Sequence, residues 1–156
     1  MKPTNDDNEY LTKEKFEEFK KELAELKGTK RKEVAQSLEY AKSLGDLAEN
    51  AEYHEARDTQ ATIEDRIAKL EELLKKATIV SGHTSGTVGV GSLVTVEKDG
   101  KKYVYSIVGS EEADVVSNKI SVRSPFGQAI IGKKKGEKFS FAAPSGELSY
   151  SISEIK

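Results

Sequence analysis

Apolar residues in the first half of the chain recur every three or four positions. Phe16, Phe19, Leu23 and Leu26 follow one another at spacings of 3, 4 and 3, the seam of a coiled coil. Thr12 stands before them as a candidate N-cap, with Glu14 in the first turn. Gly28-Thr29 interrupts the seam, and it resumes at Val34, Leu38 and Ala41 one residue out of phase. The pattern predicts a helix from Lys13 to Leu44 with a skip or a local bend near Gly28. Such a helix is on the order of 48 Å long at about 1.5 Å per residue. A second seam is cleaner. Tyr53, Ala56, Gln60, Ile63, Ile67, Leu70, Leu74 and Ala77 alternate spacings of 3 and 4 with one polar member. Two such helices joined by a short bend pair antiparallel as an αα-hairpin. Its apolar content thins toward Ala41 and Ala56, so little area is buried at that end.

After Thr78-Ile79-Val80 the period changes from helical to alternating. Gly82, Gly86, Gly89 and Gly91 mark a linker or the start of a second domain at residues 81–91. Leu93 to Val96 and Tyr103 to Val108 then flank Asp99-Gly100, a strong hairpin signal. Ile120 to Val122 reads as a further short strand. Ser124-Pro125-Phe126-Gly127 reads as a turn, and Gln128 to Ile131 as a short helix closed by Gly132. Lys138 to Ala142 and Glu147 to Ile152 form another pair around Pro144-Ser145-Gly146. The fold class is α+β. An antiparallel coiled-coil hairpin occupies residues 1–80, with its tip at about 43–53, and a small antiparallel β domain with one short helix occupies 92–156. Residues 1–9 are a polar lead-in.

Composition sharpens this picture. Of 156 residues, 33% are charged, above the roughly 25% of an ordinary globular domain, and an extended coiled coil accounts for the excess. The net charge of −2 does not suit a polyelectrolyte binder of nucleic acid. Residues 1–80 carry 19 acids against 15 bases, and residues 81–156 carry 8 against 10. There is no cysteine, which excludes disulfides and thiolate metal sites. No stretch approaches the roughly 18 apolar residues of a membrane helix, and the first residues have no apolar signal core. These features predict a soluble cytoplasmic protein without a membrane role.

The chemistry gathers at the bend, Ser43-Leu44-Gly45-Asp46-Leu47-Ala48-Glu49-Asn50-Ala51-Glu52-Tyr53. Gly45 fits a helix-ending C′ position. Asp46-x-x-Glu49 has the spacing of a capping box, with Asp in place of Ser or Thr. The same two carboxylates could also form an exposed pair that shares a hard cation such as Mg²⁺. Two carboxylates do not complete a Mg²⁺ shell, so a metal role needs a partner that brings the remaining ligands. Both readings stand on the residues alone. Lys42 and Arg57 flank the bend on opposite helices and are candidates for phosphate contacts. Lys27, Lys30, Arg31 and Lys32 read as a solvated basic face. His54 and His83 lack a second histidine and read as surface residues, and Lys133-Lys134-Lys135 as an exposed turn. No Walker loop, nucleophile elbow or HExxH motif appears.

The segment Gly45-Asp46-Leu47-Ala48-Glu49-Asn50-Ala51-Glu52-Tyr53-His54 resembles the tip of the bacterial Gre transcript-cleavage factors, the GreA type more than the GreB type. Tyr10-Leu11-Thr12, Val108-Gly109-Ser110-Glu111-Glu112-Ala113-Asp114 and Ser124-Pro125-Phe126-Gly127-Gln128-Ala129-Ile130-Ile131-Gly132-Lys133 extend the resemblance in order along the chain. It implies an FKBP-like C-terminal β domain that docks on RNA polymerase and a coiled coil that enters the polymerase's secondary channel. It further implies that Asp46 and Glu49 act catalytically by helping to hold the second, loosely bound Mg²⁺ of the polymerase active site. Lys42 and Arg57 then face the nascent RNA 3′ end. The expected protein is a monomer with no cofactor of its own, and it stimulates the polymerase's cleavage of backtracked RNA without being an enzyme itself. Ala48, Phe126 and Gln128 depart from the family's usual choices. Lys42 stands where arginine is common, which weakens any bidentate phosphate contact. The rival readings are an inhibitory channel-binding member of the same family, a coiled-coil adaptor with no cleavage role, and an FKBP-like prolyl isomerase.

Overall fold

Thr12 sits where an extended segment turns into a helix. Its hydroxyl accepts a hydrogen bond from the Lys15 backbone N–H at 3.2 Å, satisfying one of the donors that a helix start leaves open. The computed structural model describes residues 8–80 and 86–156. They form two compact units: Phe16–Lys76, and the described parts of Met1–Lys15 and Ala77–Lys156. His83 and Gly82 lie outside the described residues.

In the hairpin unit, α1 (Lys13–Glu25) continues through a π-helical turn (Leu26–Lys30) into α2 (Arg31–Ser43), and α3 (Ala51–Lys76) returns. The π turn is the physical form of the one-residue phase slip. The Arg31 N–H reaches back five residues to the Leu26 carbonyl, so one extra residue is taken up within the turn. Both halves of the seam therefore face inward, with Phe19 buried before the turn and Val34 and Ala41 after it. From α3, Ala56, Ile67, Leu70 and Leu73 are buried. The expected second seam needs two corrections. Leu73 is buried more fully than Leu74, and Ala77 begins a strand. Across the hairpin Arg66 grips the Glu22 carboxylate at 2.6 and 3.0 Å, and Arg31 grips Glu64 with two bonds of 2.7 Å. Lys27 pairs with Glu71. These pairs stand in solvent, where screening leaves them little net stabilisation.

In the other unit, β1 (Glu9–Thr12) pairs parallel with β2 (Ala77–Val80), Leu11 opposite Ile79. Residues 9–15 and 77–80, expected to be hairpin, thus group with the β-rich unit. Two contacts fix them there. Gly109, just past β4 (Lys101–Val108), lies so close to β1 that a Cβ on it would come within 1.8 Å of the Tyr10 carbonyl oxygen. The buried Glu112 carboxylate accepts from both the N–H and the hydroxyl of Thr12, each at 2.8 Å.

The main sheet of this unit has the strand order β5-β4-β3-β7-β6, with β3 (Leu93–Lys98), β5 (Lys119–Ser121), β6 (Lys138–Ala143) and β7 (Gly146–Ile155). Asp99 and Gly100 turn the β3–β4 hairpin, both at positive φ (53° and 76°), as a tight hairpin turn requires. The sheet is antiparallel except for β5, which runs parallel to β4, because residues 109–118 carry the chain back before β5 begins. α4 (Pro125–Ile130) starts earlier than expected. Ser124 caps it by accepting from the Gly127 N–H at 3.0 Å, and Pro125 opens its first turn. Phe126 and Ile130 of α4 bury against Val94, Val96, Ile107, Phe139 and Ile152. Val88 joins this core, and its N–H donates to the Lys133 carbonyl at 2.8 Å. The described end of residues 81–91, expected as a linker or the start of a second domain, therefore belongs to the β unit. Among the described residues no helix is long and apolar enough to cross a membrane.

Candidate functional site

The bend between α2 and α3 is built by backbone geometry that few residues tolerate. The Leu44 N–H donates to the Ala41 carbonyl and the Gly45 N–H to the Lys42 carbonyl, both at 3.2 Å, closing α2. Gly45 (φ 80°) and Asp46 (φ 42°) then both adopt left-handed backbone conformations. Glycine does so freely, and Asp is among the few side chains that do so at modest cost. A second turn follows, with the Glu49 N–H donating to the Asp46 carbonyl at 3.3 Å.

This arrangement corrects the expected capping box. α3 begins at Ala51, not near Asp46. Its cap is Asn50, whose Oδ1 accepts from the Tyr53 N–H at 3.0 Å. The same side-chain amide donates through Nδ2 to the Ala41 carbonyl at 2.6 Å and to the Gly45 carbonyl at 3.4 Å. The Asn50 backbone carbonyl accepts from the His54 N–H at 3.1 Å. The His54 ring also lies with Nε2 3.0 Å from the Ala48 carbonyl, its edge against Tyr53. Asn50 is the residue that the sequence reading passed over; His54, read as a surface residue, is exposed, and its contact with the Ala48 carbonyl was not foreseen. The signal for Asn50 was present, since asparagine caps as well as aspartate and Glu52 follows in the first helical turn.

Asp46 and Glu49, both exposed, are left without a capping role. Neither carboxylate has a hydrogen-bond or ion-pair partner among the described residues. No group of three or more His, Cys, Asp or Glu among the described residues is arranged to hold a metal ion. The open hollows along α2 and α3, lined by residues such as Val34, Tyr40, Ala56 and Ile63, include neither acid. Among the described residues the tip therefore offers two open carboxylates on an exposed bend and no enclosed cage. Lys42, in the last turn of α2, and Arg57, two turns into α3, are exposed and make no ion pair among the described residues. The mid-helix basic run is spent differently, since Lys27, Lys30 and Arg31 pair with Glu71, Glu33 and Glu64. The Arg31 bond holds the Glu64 carboxyl below its ordinary range. Lys133 to Lys135 lie in a turn where the Lys134 N–H donates to the Glu137 carboxylate at 2.6 Å.

Both halves of the chain match a described family, in order. "Transcription elongation factor, N-terminal" covers residues 9–79, and "Transcription elongation factor, GreA/GreB, C-term" covers residues 83–156. The protein called transcription elongation factor GreA in Chlorobium phaeobacteroides is 46% identical over 154 residues, 96% of this chain and 97% of that one. Its counterpart in Thermosipho africanus is 42% identical over 149 residues, 94% and 96% of the two chains. The crystal structure of GreA factor homolog 1 from Thermus thermophilus matches with 27% identity and a TM-score of 0.45, covering 96% of this chain and 99% of that one. Matched in both halves and along nearly the full length of its relatives, the chain belongs to the GreA/GreB family of transcription elongation factors.

Proposed function

We propose that this protein binds RNA polymerase and stimulates the polymerase's own Mg²⁺-dependent cleavage of backtracked RNA, so that arrested elongation complexes resume synthesis. The observation that carries the reading is the state of Asp46 and Glu49. Two exposed carboxylates lie in one bend, and neither is used by the fold. Two carboxylates with open lone pairs fit part of the oxygen shell of a Mg²⁺ ion, which is commonly bound through one or two carboxylates plus water and phosphate oxygens. They do not fit the whole of it, in keeping with an ion shared with the polymerase. Such an ion supplies charge for activating water or for stabilising the leaving oxygen. Asp46 and Glu49 would bind and orient it. Lys42 and Arg57 would hold the RNA backbone by its phosphates. The hairpin enters the secondary channel while the C-terminal β unit docks on the polymerase surface. The protein acts as a cytoplasmic monomer and leaves the bond-breaking to the polymerase.

The test is cleavage of stalled transcripts by purified polymerase, with and without this protein, over a range of Mg²⁺ concentrations. Asp46→Asn keeps the shape of the side chain and the tolerance for positive φ while removing the negative charge. Stimulation by the native chain and its loss in Asp46→Asn, with polymerase binding retained, is the expected result. Full stimulation by that variant overturns the carboxylate role. Stalling without cleavage by the native chain instead identifies an inhibitory channel binder.

A further inference from the structure

Every residue from Leu44 to Glu49 is exposed, and Asn50 is the half-buried exception that closes the bend. Its single side-chain amide is used at both ends. The NH₂ group donates to carbonyls at the end of α2 and in the bend, and the oxygen caps α3. A second anchor comes from His54, which reaches back from the first turn of α3 to the Ala48 carbonyl. Between them they hold the carbonyls of Ala41, Gly45 and Ala48; Asp46 lies within that span, and Glu49 lies between its last member and Asn50.

We propose that Asn50 is the positioning residue of the tip, clamping the end of α2 to the start of α3 so that the Asp46 and Glu49 carboxylates are preset for a shared cation. The inference rests on the reading that these carboxylates bind an ion together with the polymerase. The chemistry of the clamp is specific to asparagine. Aspartate has the same shape and caps a helix as well, but it only accepts hydrogen bonds when ionised. In Asn50→Asp the α3 cap therefore survives, while the carboxylate confronts the Ala41 and Gly45 carbonyl oxygens with no donor between them. The bend is released from α2 and the two ion-binding carboxylates are no longer held in place. Partners that orient metal ligands without touching the metal commonly govern affinity by 10-fold or more.

The experiment compares the full-length native chain, Asn50→Asp and Asp46→Asn. Amide hydrogen exchange of the free proteins should show faster exchange at Leu44, Gly45 and Glu49 in Asn50→Asp, with Tyr53 still protected. In the stalled-complex assay, Asn50→Asp should need on the order of 10-fold more Mg²⁺ for half-maximal cleavage. Its affinity for polymerase, measured by competition with the native chain, should not change, and excess Mg²⁺ should rescue it. Asp46→Asn should not be rescued. Native exchange in the bend, or a native Mg²⁺ requirement despite faster exchange, overturns the positioning role alone. A native chain that stimulates no cleavage at any Mg²⁺ concentration overturns the function reading and the positioning role together.

Discussion

Asp46 occupies a left-handed backbone position immediately after Gly45, and this pair of residues explains why the helix start was misread. Asp46-x-x-Glu49 carries a familiar capping spacing, but two consecutive left-handed residues delay α3 until Ala51. The cap passes to Asn50, and the acids are released from structural duty. The acids themselves were legible in the sequence, and so was the capping chemistry of Asn50; its bridge back to α2 was not, because a bond between two helix ends leaves no periodic signal. Close backbone approach is similarly silent. Gly109→Ala would press a Cβ into the Tyr10 carbonyl, a contact with backbone that cannot yield cheaply. We expect a loss on the order of 1–3 kcal/mol, read as a lower urea midpoint. Asp114 offers a pH test. Its carboxylate accepts from the Ser117 hydroxyl at 2.8 Å and the Val116 N–H at 3.1 Å, and these bonds, led by Ser117, hold its pKa below the ordinary value. A depressed carboxylate stabilises the fold above about pH 4 and loses that contribution as pH falls through its lower folded value. Urea midpoints should fall over this acid window in the native chain, and less steeply in Asp114→Asn. Equal slopes would remove Asp114 from the account.

At the scale of elements, the phase slip between Leu26 and Val34 was visible as an irregular spacing, and its physical form is the π turn. That identity makes a deletion informative. Removing Gly28 should convert the π turn into an ordinary α turn and leave both halves of the seam facing α3. It also removes a residue that is unfavourable in a helix by roughly 0.5–1 kcal/mol. Helical content and melting temperature should therefore be kept or raised. A marked drop in melting temperature would mean that the extra residue is needed for packing. The start of α4 was missed for a different reason. Ser124-Pro125 is a good helix opening, but Gly127 looked like a break. It is glycine because a Cβ there would lie 2.1 Å from the Ser121 carbonyl oxygen, a tertiary constraint that local pattern does not carry. The Asp99-Gly100 turn, governed by local turn chemistry alone, was readable, although both strands run two residues nearer to it than expected.

For the whole molecule, the change of period near residue 80 located the two kinds of structure but not the units themselves. β1 and β2 pair across 64 intervening residues, Lys13 to Lys76, and a four-residue strand between a polar lead-in and a helix is invisible without its partner. A fragment starting at residue 81 should therefore be a poor folding unit. It loses Leu11, which is fully buried, and leaves Glu112 without Thr12. The deficit is on the order of 2–5 kcal/mol if it matches truncation of one core leucine. A chain in which a flexible linker replaces Phe16–Lys76 should melt cooperatively at a higher temperature than the 81–156 fragment, and equal melting would dissociate β1 and β2 from that unit's stability. Function was legible to the extent that it resides in a local motif. The part that belongs to a partner has no residues in this chain to read.

The parallel pairing of β1 with β2 has one more consequence. Parallel neighbours cannot be joined by a tight turn and require a long crossover. Here the entire helical hairpin is that crossover. Topologically it is a loop, and the cost of lengthening a loop grows only slowly. Its reach is therefore an independent variable. Seven residues added to each of α2 and α3 in register would extend it by about 10 Å without altering a strand of the sheet, so a lineage could retune the length of the hairpin by insertion and deletion alone.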